Sequence, residues 1–347
     1  MLRRFNAMFT MTAHNSPMDA ALPQRTGSHG RASLAPEYRV AAGICMAMAM
    51  LCALAFLLSP LSHDWRSLGP IWAAVTALIA AGAAVQHAHS VMVGRFLQSA
   101  ALFFLVSFVG LLAGVMLATT ALPPVDAQLA RWDHAIGFDW LAAFSYWQAY
   151  PGVLETLSVI YASLSWQPIV LIGLLAAAAK PGAAGRFLAA WAIALALCMA
   201  IFPFTPAYGN FVVHGIDPSH AGGVLVSAGW SFADGFTQLR EGQILHIDLA
   251  TLDGVVTFPS FHTAGAIVLA AGFAHLRRLA WPMCLLNAAM VVSAVFIGAH
   301  YLVDILAGIA IALIALILAD RLVSERFDDG EHHDQRGGQS GNLIQQA

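Results

Sequence analysis

The chain has 347 residues, 59% of them hydrophobic and only 10% charged. Soluble domains usually carry about 25% charge, so this chain cannot cover a globule with polar surface, and its natural solvent is lipid. The net charge of −3 comes without a basic stripe or a zinc-type cysteine spacing, which argues against a nucleic-acid partner.

The first 39 residues are mixed polar with Gly, Ser and Pro, and read as a disordered cytoplasmic tail. Eight apolar runs follow that are long enough to be membrane spans, near 40–61, 70–86, 96–120, 154–179, 186–206, 260–277, 281–299 and 301–321. The expected fold is an all-α polytopic membrane bundle. A pair of spans over 40–95 precedes a core domain over 96–322, and 323–347 reads as a second disordered tail. Cys45, Cys52, Cys198 and Cys284 all fall inside apolar runs, as small buried residues rather than a disulfide framework.

Eight spans put both termini on one side. With the termini in the cytoplasm, thirteen of the sixteen Lys and Arg residues lie inside, and only Arg66, Arg131 and Arg240 lie outside. Two outer loops are long, about 121–153 and 207–259. The first combines Asp126, Arg131, Asp133 and Asp139 with Trp132, Trp140, Tyr146, Trp147 and Tyr150, a composition suited to the headgroup layer.

Two constellations carry chemistry. In Pro259-Ser260-Phe261-His262, Ser260 is a competent helix N-cap. The free donors of that helix start favour an anion such as phosphate. In His300-Tyr301-Leu302-Val303-Asp304, the carboxylate lies four residues after the histidine, on the same helix face. Asp304 can hold one ring nitrogen of His300 and leave the other free to attack. Asp304 also sits about a turn into a membrane helix, where an ionisable residue is a functional hypothesis by default. The spans between the motifs run inward and back, so both histidines reach the outer face. One histidine can then attack phosphorus while the other protonates the leaving oxygen.

These residues resemble the type 2 phosphatidic acid phosphatase superfamily of membrane lipid phosphatases and phosphotransferases. Pro259, Ser260 and His262 match its Pro-Ser-Gly-His pattern, with Phe261 in place of glycine. Ser293, His300 and Asp304 match its last motif, with Ala294 in place of arginine. The family's Lys and Arg-Pro motif is absent. The departures look like the branch that includes inositol phosphorylceramide synthase. The resemblance implies a six-helix core with two added N-terminal spans. It implies a phosphohistidine on His300, oriented by Asp304, with His262 as acid and base, and no cofactor or metal. Ser260, Arg240 and Tyr301 are the candidate substrate-binding residues, Arg240 being the preferred substitute for the missing arginine.

The expected partners are a lipid phosphate and the surrounding membrane lipids. The expected location is a bacterial inner membrane with the site on the periplasmic face, or a lumenal face as the alternative. A transporter or flippase using the histidines and Asp304 as a proton relay is the rival class. It predicts ionisable residues at mid-membrane on several spans, whereas here they gather at one surface. The lipid, the headgroup, the acceptor and the oligomeric state are not legible.

Overall fold

The computed structural model describes residues 36–58, 62–63, 65–88, 90–119, 122–225, 228–243, 246–247 and 257–344. Most of the expected N-terminal tail, residues 1–35, lies outside this range. The helices are α1 (Arg39–Leu58), α2 (Trp65–Ala88), α3 (Val91–Ala118), α4 (Asp126–Ala135), α5 (Trp140–Gln148), α6 (Pro151–Ala162), α7 (Gln167–Ala177), α8 (Pro181–Ile201), α9 (Asn210–Val213), α10 (Ala228–Arg240), α11 (Phe261–Ala274), α12 (Ala280–Phe296) and α13 (Leu302–Ile344). A two-residue parallel pairing, Ser62 with His246 and His63 with Ile247, ties the loop after α1 to the loop after α10.

The protein is an all-α integral membrane bundle. Among the described residues, four helices are long and apolar enough to cross a membrane: α1, α3, α8 and the first part of α13. α6 and α7 pass the same test only as a pair bent by 53°, the geometry of a broken span or of a re-entrant loop. Ala73–Gly82 within α2, α11 and α12 are shorter apolar helices. The eight expected crossings therefore require the bent pair and these three short helices to cross as well. The polar stretch after Ser324, expected to be disordered, continues α13 as helix to Ile344. No proline interrupts that stretch.

α8 is the centre of the bundle. It is apolar almost all round, as a helix surrounded by others must be, and most of it is buried. Its alanines let α1, α3, α11 and α13 approach closely. α11 runs antiparallel to α8, because Gly265 faces Trp191 while Gly272, two turns on, faces Phe187.

The expected fourth span, 154–179, is broken in two. Pro168 lacks the N–H that a continuous helix would need. The polar groups at the break are satisfied by side chains: Gln167 donates to the Ser163 hydroxyl at 2.8 Å and accepts from Asn287 at 2.8 Å. This buried amide pair also ties the break to α12.

The aromatic loop expected in the headgroup layer is partly a packed cap. Trp140 and Phe144 of α5 are buried against Phe211 and the end of α12, and the Trp140 indole donates to the Val295 carbonyl at 2.8 Å. Trp132, Tyr146 and Tyr150 remain exposed.

Candidate active site

The last motif begins with a strained turn. Ala299 adopts a left-handed conformation, φ 53°, immediately before His300. A β-carbon makes that conformation costly, so neighbouring groups must hold it. Asn210 does so twice, donating from its backbone at 2.8 Å and from its side chain at 3.2 Å to the Ala299 carbonyl. Gly298 leaves room for the turn. A β-carbon there would lie 2.8 Å from His300 Cδ2 and 3.0 Å from the Tyr161 ring.

His300 is delivered by that turn, buried, with Nδ1 3.1 Å from Asp304 Oδ2. The same oxygen accepts the Tyr301 N–H at 3.0 Å. A carboxylate in that position selects the tautomer with a proton on Nδ1, leaving the Nε2 lone pair available. Asp304 is fully buried, and its Oδ1 has no hydrogen-bond partner.

The two motifs are joined directly. The Ser260 N–H donates to the Asp304 carbonyl at 3.2 Å. Gly308, one turn beyond Asp304, allows the contact, since a β-carbon there would meet the Ser260 carbonyl at 2.5 Å. Ser260 caps α11 as its sequence predicts, accepting the Thr263 N–H at 3.3 Å and the Thr263 hydroxyl at 3.1 Å. The N–H groups of Phe261 and His262, in the same first turn, take no partner from the cap.

His262 lies close enough to His300 for the two rings to interact electrostatically. Tyr161 stacks on it, with ring centroids 3.9 Å apart and planes 12° apart. The Tyr161 hydroxyl oxygen is 3.2 Å from His262 Nδ1. With parallel rings that oxygen lies above the imidazole, away from the in-plane lone pair, so the contact orients the ring without setting its tautomer. A cavity of about 400 Å³ opens beside His262, walled by Phe103, Leu164, Ser165 and Trp191.

α4 braces this arrangement from outside. Asp126 and Asp133, seven residues apart, share one helix face. Asp126 accepts the N–H groups of Tyr208 at 3.0 Å and Gly209 at 2.9 Å, and the Tyr301 hydroxyl at 3.1 Å. Asp133 accepts the N–H groups of Leu302 at 2.8 Å and Val303 at 2.9 Å, capping α13 from another helix. Burial pushes the Asp133 carboxyl above the ordinary carboxylate range, and those two backbone donors oppose the shift.

Of the six residues picked from sequence, five come together: His262, His300, Asp304, Ser260 and Tyr301. Two of these five have their side-chain oxygens engaged within the protein. Tyr301 is buried with its hydroxyl on Asp126, an anchor and not a headgroup contact. The Ser260 hydroxyl is engaged in its cap. Arg240, the sixth, donates to the Leu122 carbonyl at 2.6 Å and lies over the Phe236 ring. From sequence, Asp126 and Asp133 stand only as charges of an outer loop, and Asn210 and Tyr161 carry no signal. The seven-residue spacing of the two aspartates was the available signal. Among the described residues, no three His, Cys, Asp or Glu side chains gather to hold a metal.

No curated protein and no solved structure matches the chain. The model of the PAP2 superfamily matches residues 127–318, from α4 to the apolar part of α13. That stretch is more than half of the chain and holds both histidines, Asp304 and Asp133. Phosphatases and phosphotransferases acting on phosphorylated substrates make up this group, and the chain belongs to the PAP2 superfamily.

Proposed function

We propose that this protein is a lipid phosphatase or lipid headgroup phosphotransferase working through a phosphohistidine on His300. The observation that carries the reading is the buried His300–Asp304 pair set beside His262. In the first half-reaction the His300 Nε2 lone pair attacks phosphorus. The bond from phosphorus to the leaving oxygen breaks, and that oxygen takes a proton from His262. In the second, His262 removes a proton from water or from an alcohol, whose oxygen attacks phosphorus. The P–N bond breaks and its electron pair returns to His300. Asp304 stabilises the imidazolium character that develops on His300.

The phosphate-binding shell has no arginine in its usual place. The first turn of α11 supplies backbone donors and the positive end of a helix dipole instead. α11 rises only about 21 Å over its 14 residues, against a hydrocarbon core of about 30 Å. With Arg277 and Arg278 at the cytoplasmic interface, His262 then lies below the level of the outer interface. A recessed site favours a substrate held by its hydrocarbon part. The branch resembling inositol phosphorylceramide synthase is the preferred one, because Phe261 and Ala294 stand at its departures from the full pattern. The site faces the periplasm, with both termini cytoplasmic. α3 packs on α8 and is assigned to the core domain over 96–322, although it precedes the matched stretch.

The test is product analysis by the purified protein in detergent with chelator present. Phosphatidic acid, an isoprenyl diphosphate, and phosphatidylinositol with ceramide would be offered. Free phosphate that disappears in His300→Ala makes the protein a hydrolase. A new phospholipid without free phosphate, again lost in His300→Ala, makes it a transferase. Activity that survives His300→Ala removes His300 as nucleophile.

A further inference from the structure

Among the described residues, two other than glycine have positive φ, Ala299 and Ala179. Ala299 precedes His300. Ala179, at φ 53°, precedes Lys180 in the tight turn between α7 and α8, at the end of the bundle where α11 finishes. Strained backbone persists where the surroundings fix it, and it clusters at functional sites. The Lys180 N–H reaches back to the Leu175 carbonyl at 2.9 Å, and Pro181 starts α8, so the turn is held from both sides.

A second cavity, of about 240 Å³, opens at this turn, far along the bundle from the histidines. Its wall carries two basic side chains, Lys180 and Arg95, and two hydroxyls, Tyr38 and Ser99. Ser99 donates to the Tyr38 oxygen at 2.8 Å. The Arg95 Nε is buried and has no hydrogen-bond partner. A buried guanidinium N–H without an acceptor is costly, and a ligand oxygen would remove the cost. One carboxylate, Glu37, lies near enough to interact with Tyr38, as Arg95 does. Among the described residues that line the cavity, two are basic and none is acidic. Val91 and Met92, both about half exposed, form an apolar rim.

We propose that this cavity binds the phosphate of a membrane phospholipid, with Arg95 and Lys180 on the phosphate oxygens and the acyl chains along Val91 and Met92. The basic walls select a phosphate, and the apolar rim selects a lipid over a free anion. Basic pockets between helices at a cytoplasmic interface suit anionic headgroups in this way. The site is separate from the histidines and does not depend on the catalytic reading.

Native mass spectrometry of the delipidated full chain tests this, with phosphatidylglycerol as the probe. The wild type is expected to retain one phosphatidylglycerol that His300→Ala also retains. Lys180→Gln and Arg95→Gln should each weaken it about tenfold, as loss of one charge-assisted hydrogen bond does. Arg95→Lys, which keeps the charge, should fall between. Unchanged affinity in Lys180→Gln and Arg95→Gln would overturn the proposal. So would equal retention of diacylglycerol, which lacks the phosphate. Displacement of the lipid by excess inorganic phosphate would overturn the lipid assignment in favour of a free-anion site. Lys180 lies on a turn outside the helices, so its variant remains informative if Arg95→Gln fails to fold.

Discussion

Two helix starts meet at the site, and they are finished in opposite ways. At α13 the N–H groups of Tyr301, Leu302 and Val303 all point at carboxylates, those of Asp304 and Asp133. At α11 the cap is a neutral serine, and the donors of Phe261 and His262 stay uncommitted. A helix start closed by two carboxylates repels an anion and holds its own residues still. A helix start closed by a hydroxyl keeps its positive end for a ligand. Under the proposed function, the difference puts rigidity on the His300 side and phosphate binding on the His262 side.

Substitutions at the two starts should therefore fail differently. His300→Ala should have the largest effect, a loss of at least about a thousandfold in turnover. The protein should still fold, since the Asp133 and Asn210 anchors remain, which thermal unfolding in detergent can check. Asp304→Asn should follow, at about a hundredfold or more, because a neutral amide in that place cannot stabilise the positive charge that develops on the His300 ring. His262→Ala should cost about 10²- to 10⁴-fold on a lipid substrate. With an aryl phosphate, whose leaving group needs no proton, the first step, read as a pre-steady-state burst of the phenol, should lose much less, while the second step still slows. An equal loss of the first step on both substrates would contradict the acid role and the two-sided division.

Asp133→Ala sharpens the comparison from the structural side. It removes a cap with two backbone donors, so stability should fall by about 1–3 kcal/mol. Turnover should fall with it through misplacement of His300, while the affinity for substrate changes less. The smallest expected effect is on pH dependence. Burial makes Asp133 hold its proton more tightly in the folded protein than in the unfolded chain. Its contribution to stability is then fully present below the ordinary carboxylate range, near pH 4, and is lost as pH rises through the raised value. Asp133→Asn should flatten that part of the stability profile.

The membrane bundle was legible because composition and run length decide it. The Ser260 cap and the His300–Asp304 pair were legible because the capping pattern and the helix spacing are local. The braces were not. Asp126 and Asp133 looked like charges of an outer loop, and only the folded α4 shows that their seven-residue spacing aims both at other segments. Asn210 acts through the Ala299 carbonyl, a contact across 89 residues that no local pattern announces. The break at Pro168 was visible as a proline, but the run of apolar residues around it outweighed it. Arg240 was chosen for its charge and side alone, and its described contacts are with Leu122 and Phe236.

The most direct test of the account is to trap the intermediate. The purified protein would be mixed with a phosphorylated substrate it turns over, quenched in alkali to preserve phosphoramidate bonds, and mapped by peptide mass spectrometry. Phosphate, or the phosphorylated headgroup, is expected on the peptide holding His300, absent in His300→Ala and accumulating in His262→Ala with an aryl phosphate. A modification on His262, or turnover with no phosphoenzyme under conditions where His262→Ala slows the second step, would contradict it.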